Sequence, residues 1–366
     1  MLIEFHLIQN HAPSNLNRDD TGSPKEAVFG GYQRARISSQ CLKRSIRRSE
    51  LFQEALKGHL ATRSRQIAAR LRPALERLGA GPEAIEAVTK VATRLGSDKE
   101  SDKGETRQTM FVADAEISRV AEQLYALYQA NPEGFSKLTG KELDQKLKND
   151  GIPPVVDIAL FGRMTTAAAF EDVRAAMQVA HAISTGKIER EFDYYTAVDD
   201  LPSPDDDLGA DMIGDVEFNS STFYKYFSLD WKQLCKNLDG DTGIARKAVA
   251  AFLEAAALVT PTGKQNSFAA HNPPDGILVE VRTRRIPVSY ANAYITPVRP
   301  TATESMVERS VQKLGEYAER LKKSYGLDGQ AFWLTTTDYE MPGARKVESL
   351  QELVGALDAL LAEAQQ

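Results

Sequence analysis

The first residues alternate between apolar and polar, with Ile3, Phe5 and Leu7 on one side of Leu2 to Ile8, a period of two that predicts a half-buried opening strand. After a loop the period lengthens. From about residue 50 to 185 apolar positions recur at helical spacing, predicting helices over Leu51 to Leu78, Pro82 to Leu95, Val112 to Ala130, a short stretch near 141, and Phe170 to Ile183. The run VVDIAL at 155–160 reads as the one strand-like interruption.

Between 187 and 217 the pattern fails, and the segment holds eleven acidic and two basic residues, including the loop LPSPDDDLGADMIGD. Such a stretch cannot build a core of its own and is expected to project into solvent. Beyond it, strands are predicted near VEFNSSTFYKYFSL, ILVEV, PVSYANAYI and AFWLTTT, with helices over Ile244 to Val259, Met306 to Tyr325 and Val347 to Ala364. The fold class this implies is α+β: an N-terminal strand completed by distant C-terminal strands, with the helical block inserted between. No solenoid repeat or low-complexity tract is visible.

With 366 residues, 42% of them hydrophobic, the chain can bury a substantial core, which excludes a disordered protein. Its net charge of −6 argues against a polyanionic partner until the distribution is considered. Residues 1–70 carry twelve Lys or Arg against six Asp or Glu, and RARISSQCLKRSIRR at 34–48 has six basic side chains and no acid. Only Cys41 and Cys235 occur, without a CxxC partner, so neither a disulfide framework nor a zinc ribbon is indicated. The N-terminus lacks a basic leader and no apolar run is long enough for a bilayer, so a cytoplasmic protein without membrane contact is expected.

Ser38 and Ser39 are good helix N-caps, and the residues after them divide cleanly. Lys43, Arg44, Arg47 and Arg48 fall within an arc of about 140° around Gln40, with Leu42 and Ile46 opposite. A charge run is most often a solvated face. Here the capped helix end, the upstream cations Arg18, Lys25, Arg34 and Arg36, and the paired glycines of FGG, which permit close backbone approach to a ligand, make a nucleic-acid backbone the natural match.

The blocks APSNLNRDD and AVFGGYQRARISSQCLKRSIR resemble the N-terminal signature of the CasC family, the backbone subunit of the type I-E CRISPR surveillance complex Cascade. VDIALFGRM, AHAISTG, YYTAVDDL, FNSSTFYKY, GKQNSFAAHNP and PVSYANAY resemble further family blocks in the same order, spanning nearly the whole chain. The resemblance implies a palm with a ferredoxin-like, RNA-recognition-type sheet over 1–57 and 219–366, inserted helical fingers over 58–186, and a protruding thumb hairpin over 187–218. It further implies copies stacked helically along a CRISPR RNA, displacing guide nucleotides at intervals, with other Cascade subunits and a target DNA strand as partners.

Carried over by the resemblance, the guide-binding residues are Lys25, Ser38, Gln40, Lys43, Arg44, Arg47, Arg163, Met164, Lys264 and Gln265, with Arg18 and Asn17 weaker members. Each has a plainer reading: Met164 as packing, Gln40 as a cap, Lys264 as part of a turn. Tyr195 and Ile213 align with apolar thumb positions that wedge against bases, where burial in a small hairpin core is the alternative. Two departures are visible. Tyr32 and Gln33 stand where relatives often carry basic residues, and the loop with Asp205, Asp206 and Asp207 is unusually long and acidic.

The rival reading is a metal-dependent RNase using Asp19 and Asp20, adjacent carboxylates beside the presumed RNA track. Adjacent residues on an extended loop point apart, no third carboxylate is fixed nearby, and the resemblance implies no catalysis, so neither enzyme activity, metal nor cofactor is expected. The five histidines lack ligand spacing, and His181 reads as a core residue of an apolar helix. A free-standing RNA-binding regulator is a second alternative.

Overall fold

The structure is a computed structural model that describes residues 1–97, 104–147, 151–197 and 212–364. It divides into two compact units, the first made of Met1–Ala55, Gln178–Trp231 and Val249–Gln366, the second of Leu56–Met177 and Lys232–Ala248.

Twelve strands are described: β1 Leu2–Ser14, β2 Glu26–Phe29, β3 Tyr32–Ile37, β4 Thr62–Ser64, β5 Met110–Val112, β6 Met177–Val179, β7 Ala182–Ser184, β8 Glu191–Ala197, β9 Met212–Asp230, β10 Gly276–Arg282, β11 Gln330–Thr335 and β12 Arg345–Lys346. In the first unit they form a mostly antiparallel sheet of order β12-β11-β10-β1-β9-β7-β3-β2, with β6 and β8 also pairing with β9. The opening strand is therefore central. It pairs with β9 through Ile3↔Leu229 and with β10 through Ile3↔Val281, and it is buried on both faces, where half-burial is the expectation from alternation alone.

Each sheet face has its own core. On one side Phe5 and Phe227 close on Phe252 at ring distances of 5.5 and 5.2 Å. On the other, Ile8, Leu278 and Trp333 pack with Val311 and Leu314 of the helix Met306–Tyr325. Here lies a buried polar network: Arg282 bridges Glu4 at 2.5 Å and Glu280 at 2.6 Å, Lys322 reaches Glu280 at 2.8 Å, and the His6 ring stacks 4.3 Å from Tyr290. Each charge taken from water here is met by an opposite one, as burial demands.

Another buried cation is Lys225. On β9 opposite Leu7 it is 1% exposed, and burial pulls its ammonium down to about 8. Below that pH both folded and unfolded chains hold the proton, so the folded state carries the full cost of a buried charge. Between about 8 and the unfolded value of 10.5 the unfolded chain binds more protons, so stability rises with pH. Lys225→Met should accordingly raise the melting temperature at pH 7, with a gain that shrinks across that window in a pH series of thermal melts. A constant gain would assign the effect to packing instead of charge.

The second unit is helical around Leu71, Leu75, Val88, Val120, Leu124 and Phe135, with a two-stranded ribbon of β4 and β5. Several sequence expectations are corrected. The helix expected over Leu51 to Leu78 is broken into Glu50–Ala55, β4 and Ile67–Arg77. VVDIAL belongs to a helix, Val156–Phe161, buried at five successive positions, because a short apolar run has no periodicity to separate a buried helix from a buried strand. The expected helix Phe170 to Ile183 is instead loop, β6 and the start of β7, and the strand expected at PVSYANAYI is irregular chain with a 3₁₀ turn at Ala291–Tyr294. His181 is exposed beside β7, its Nδ1 2.9 Å from Arg36 Nη1, and not a core residue of a helix. Among the described residues no helix is long and apolar enough to cross a membrane.

Candidate nucleic-acid interface

The basic helix forms as its pattern predicts. α1 spans Ser39–Arg48, with Ser38 as an extended N-cap whose hydroxyl accepts from the Cys41 amide at 3.3 Å. Its buried residues are Leu42 and Ile46, its first turn holds no acid, and Arg47 and Arg48 fill the last turn. Gln40, Arg44 and Arg48 are exposed, while Lys43 and Arg47 are half-buried. Burial pulls the Lys43 ammonium below its ordinary value. An anion beside it would favour the charged form.

The loop before α1 is pinned to it by Asn17. Its Oδ1 accepts from the Ser38 amide at 2.8 Å, and its carbonyl accepts from the Lys25 amide at 2.8 Å. Arg18 and Lys25 are thereby brought to the helix start, with Arg18 exposed beside an open cleft of about 530 Å³ lined by Asn17, Asp19, Asp20 and Gly263. Asn17 is thus a structural residue, and Ser38, 6% exposed and used as a cap, has the same character. Both position the helix end.

Lys264 is half-buried with φ of 53°, a left-handed backbone uncommon for a residue with a side chain. It caps the short turn Gln265–Phe268. Gln265 donates to the Pro261 carbonyl at 3.0 Å, leaving its buried Oε1 without a partner.

Two of the expected phosphate ligands are structural cations. Arg34 is fully buried, and its guanidinium donates to the carbonyls of Ser184 and Thr185 at 2.9 Å and of Tyr294 at 2.6 Å, tying β3 to two other segments of the first unit. The FGG turn has an internal use too: a Cβ at Gly30, where φ is 61°, would lie 2.0 Å from the Ile295 carbonyl oxygen, so the close backbone approach is made by the protein itself. Arg163 in the second unit is 8% exposed and paired with Glu116 through Nη2–Oε1 at 2.8 Å and Nη1–Oε2 at 2.9 Å. The guanidinium expected to meet the guide is thus engaged within the second unit. The adjacent Met164 is 93% exposed, which excludes the packing alternative.

The acidic hairpin is β8 paired with the first half of β9 in the register Tyr195↔Gly214 and Thr196↔Ile213. Tyr195 and Ile213 are therefore one position out of register and not a direct cross-strand pair. The Tyr195 ring lies across Gly214, where an added Cβ would meet its hydroxyl at 2.6 Å. Sequence reasoning missed two exposed aromatics on the same strand, Phe192 and Tyr194, 64% and 66% exposed. The alternation of aromatic and acidic residues in EFDYY was the available signal. Arg190 clamps the hairpin base to Glu26 at 2.5 Å and Glu217 at 3.2 Å. Asp205, Asp206 and Asp207 lie outside the described residues.

Asp19 is a loop organiser. Its Oδ1 accepts from the Thr21 hydroxyl at 2.7 Å, the Thr21 amide at 2.9 Å and the Ser23 amide at 3.0 Å, and these bonds hold its carboxyl below the usual range. Among the described residues no group of three or more His, Cys, Asp or Glu is placed to hold a metal ion.

The fold recurs in solved assemblies. The chain is 29% identical, with a TM-score of 0.82, to a chain of a CRISPR RNA-guided surveillance complex in a pre-nicking state, covering 99% of this chain and 100% of that one. A second CRISPR RNA-guided surveillance complex holds a chain 27% identical with a TM-score of 0.64, covering 98% and 99%. Both likenesses run the full length, so the class is that of a Cas protein built like a surveillance-complex subunit. Residues 3–362 match the family described as CT1975-like protein, and the chain belongs to that family of Cas proteins. No curated protein matches it.

Proposed function

We propose that this protein is the guide-binding backbone subunit of a type I-E Cascade complex of the CasC kind, several copies of which line a CRISPR RNA. The observation that carries the reading is α1: a capped helix anchored by Leu42 and Ile46, with Gln40, Lys43, Arg44 and Arg47 turned away from that buried pair and joined at its start by Arg18 and Lys25. Full-length likeness to chains of CRISPR RNA-guided surveillance complexes supports it. Phosphate contacts from Lys and Arg carry no base information, so guides of any sequence are held alike, as a subunit repeated along a guide requires.

In this reading the first unit supplies a ferredoxin-like palm, the second the fingers with Met164, and the hairpin the thumb. Lys264 and Gln265 add a polar contact. Tyr195, Phe192 and Tyr194 offer flat apolar faces to unstacked bases, an interaction that every base can make. Ile213 completes the thumb from the partner strand. Target DNA and neighbouring copies are the further partners. The role is structural and not catalytic.

Fluorescence anisotropy with several unrelated single-stranded RNAs of equal length tests the reading: similar affinities and a steep salt dependence are expected, and strong preference for one sequence contradicts it. The same complexes, incubated with matched target RNA or DNA and magnesium or manganese, should leave the target intact. Cleavage at regular spacing, lost in Asp19→Ala or Asp20→Ala, would establish the nuclease instead.

A further inference from the structure

Met164 is nearly fully exposed, yet the chain around it is fastened on both sides. Before it, Gly162 has φ of 80°, and a Cβ there would lie 3.0 Å from the Val173 carbonyl oxygen, so the approach requires glycine. Arg163 then exchanges two backbone hydrogen bonds with Val173, at 2.9 and 2.8 Å, while its side chain donates to the Glu171 carbonyl at 2.8 Å and the Phe111 carbonyl at 3.1 Å. Glu116 receives that guanidinium and also accepts from the Ala113 amide at 2.9 Å at the start of the helix Asp114–Ala130. After Met164, the Thr165 amide donates to Asp172 Oδ1 at 2.7 Å.

A buried ion pair contributes little net stability compared with apolar side chains of the same volume. What it does supply is a fixed position, and every tether here converges on the residues either side of one exposed methionine. A flexible thioether on a mobile loop would lose much of its contact energy to ordering; on a held backbone only its own rotamers remain to be fixed. We propose that Glu116, Arg163 and Asp172 are positioning residues that present Met164 as a preformed apolar contact for the bases of the bound guide, an inference that rests on the RNA-binding reading above.

The test is a double-mutant cycle on the full chain with a synthetic single-stranded RNA. Met164→Ala and Asp172→Ala should each weaken binding by about two- to tenfold without changing the salt slope or the melting temperature. The double variant should be no weaker than Met164→Ala alone. Removing an acid beside RNA would by electrostatics alone tighten binding, so the sign separates positioning from charge. Asp172→Asn, which keeps the acceptor oxygen, should behave as the natural protein. For the buried pair, Glu116→Leu with Arg163→Met removes both charges and leaves none unpaired, and should keep the fold while producing the same Met164-dependent loss. Additive losses, or loss from Met164→Ala with none from Asp172→Ala, overturn the proposal, as does undiminished binding by Met164→Ala. Failure of the natural protein to bind RNA would overturn the underlying reading instead.

Discussion

Alanine at Lys43, Arg44 and Arg47 together lowers affinity for single-stranded RNA of any sequence by at least about tenfold and reduces the log–log salt slope by about 2, near 0.7 for each lost phosphate contact. The size follows from counterion release: each cation that neutralises a phosphate frees condensed ions, and the gain disappears with the charge. The helix survives the change because its anchors, Leu42 and Ile46, and its Ser38 cap are untouched, and alanine is the best helix former. Circular dichroism and thermal melts should therefore match the natural protein. Isotherms at a series of salt concentrations read both affinity and slope, and an unchanged slope would move the guide contact away from α1.

Arg34→Ala has the opposite signature. Arg34 lies only two residues from Arg36, but its guanidinium is a buried bracket for the carbonyls of Ser184, Thr185 and Tyr294. Truncation takes the guanidinium donors from three buried carbonyls, at about 1–3 kcal/mol each, and opens a cavity, so the loss is about 3–5 kcal/mol. For a unit of this size that lowers the melting temperature by about 6–20 °C. At temperatures where the variant is still folded, its salt slope for RNA should equal that of the natural protein. Differential scanning fluorimetry with matched RNA isotherms checks both halves, and a flattened slope at normal stability would return Arg34 to the RNA face.

Arg34 and Arg44 show where sequence stops being informative. The division of α1 into a basic and an apolar face follows from a local 3.6-residue period, and the structure buries the two residues that period selects. The helix Met306–Tyr325 and the strands at ILVEV and AFWLTTT are equally local and were legible for the same reason. Whether a cation faces solvent is a different matter. Arg34 and Arg44 look alike in a list of basic residues, yet one is met by carbonyls about 150 and 260 positions away and the other is exposed. Arg163 likewise finds Glu116 at a separation of 47 residues, which no periodicity encodes. The misread segments share this cause: VVDIAL and PVSYANAYI are short apolar runs whose conformation is set by what packs on them. The hairpin aromatics are an exception, since Phe192 and Tyr194 alternate with acids in plain view.

The central claim, that copies of this chain line a guide, is tested most directly by counting them. Light scattering coupled to size-exclusion chromatography, on complexes with RNAs of increasing length, gives protein copies per RNA. The account predicts several copies on a long guide, with the number rising in proportion to RNA length. One copy per RNA regardless of length would contradict it and identify a free-standing RNA-binding protein.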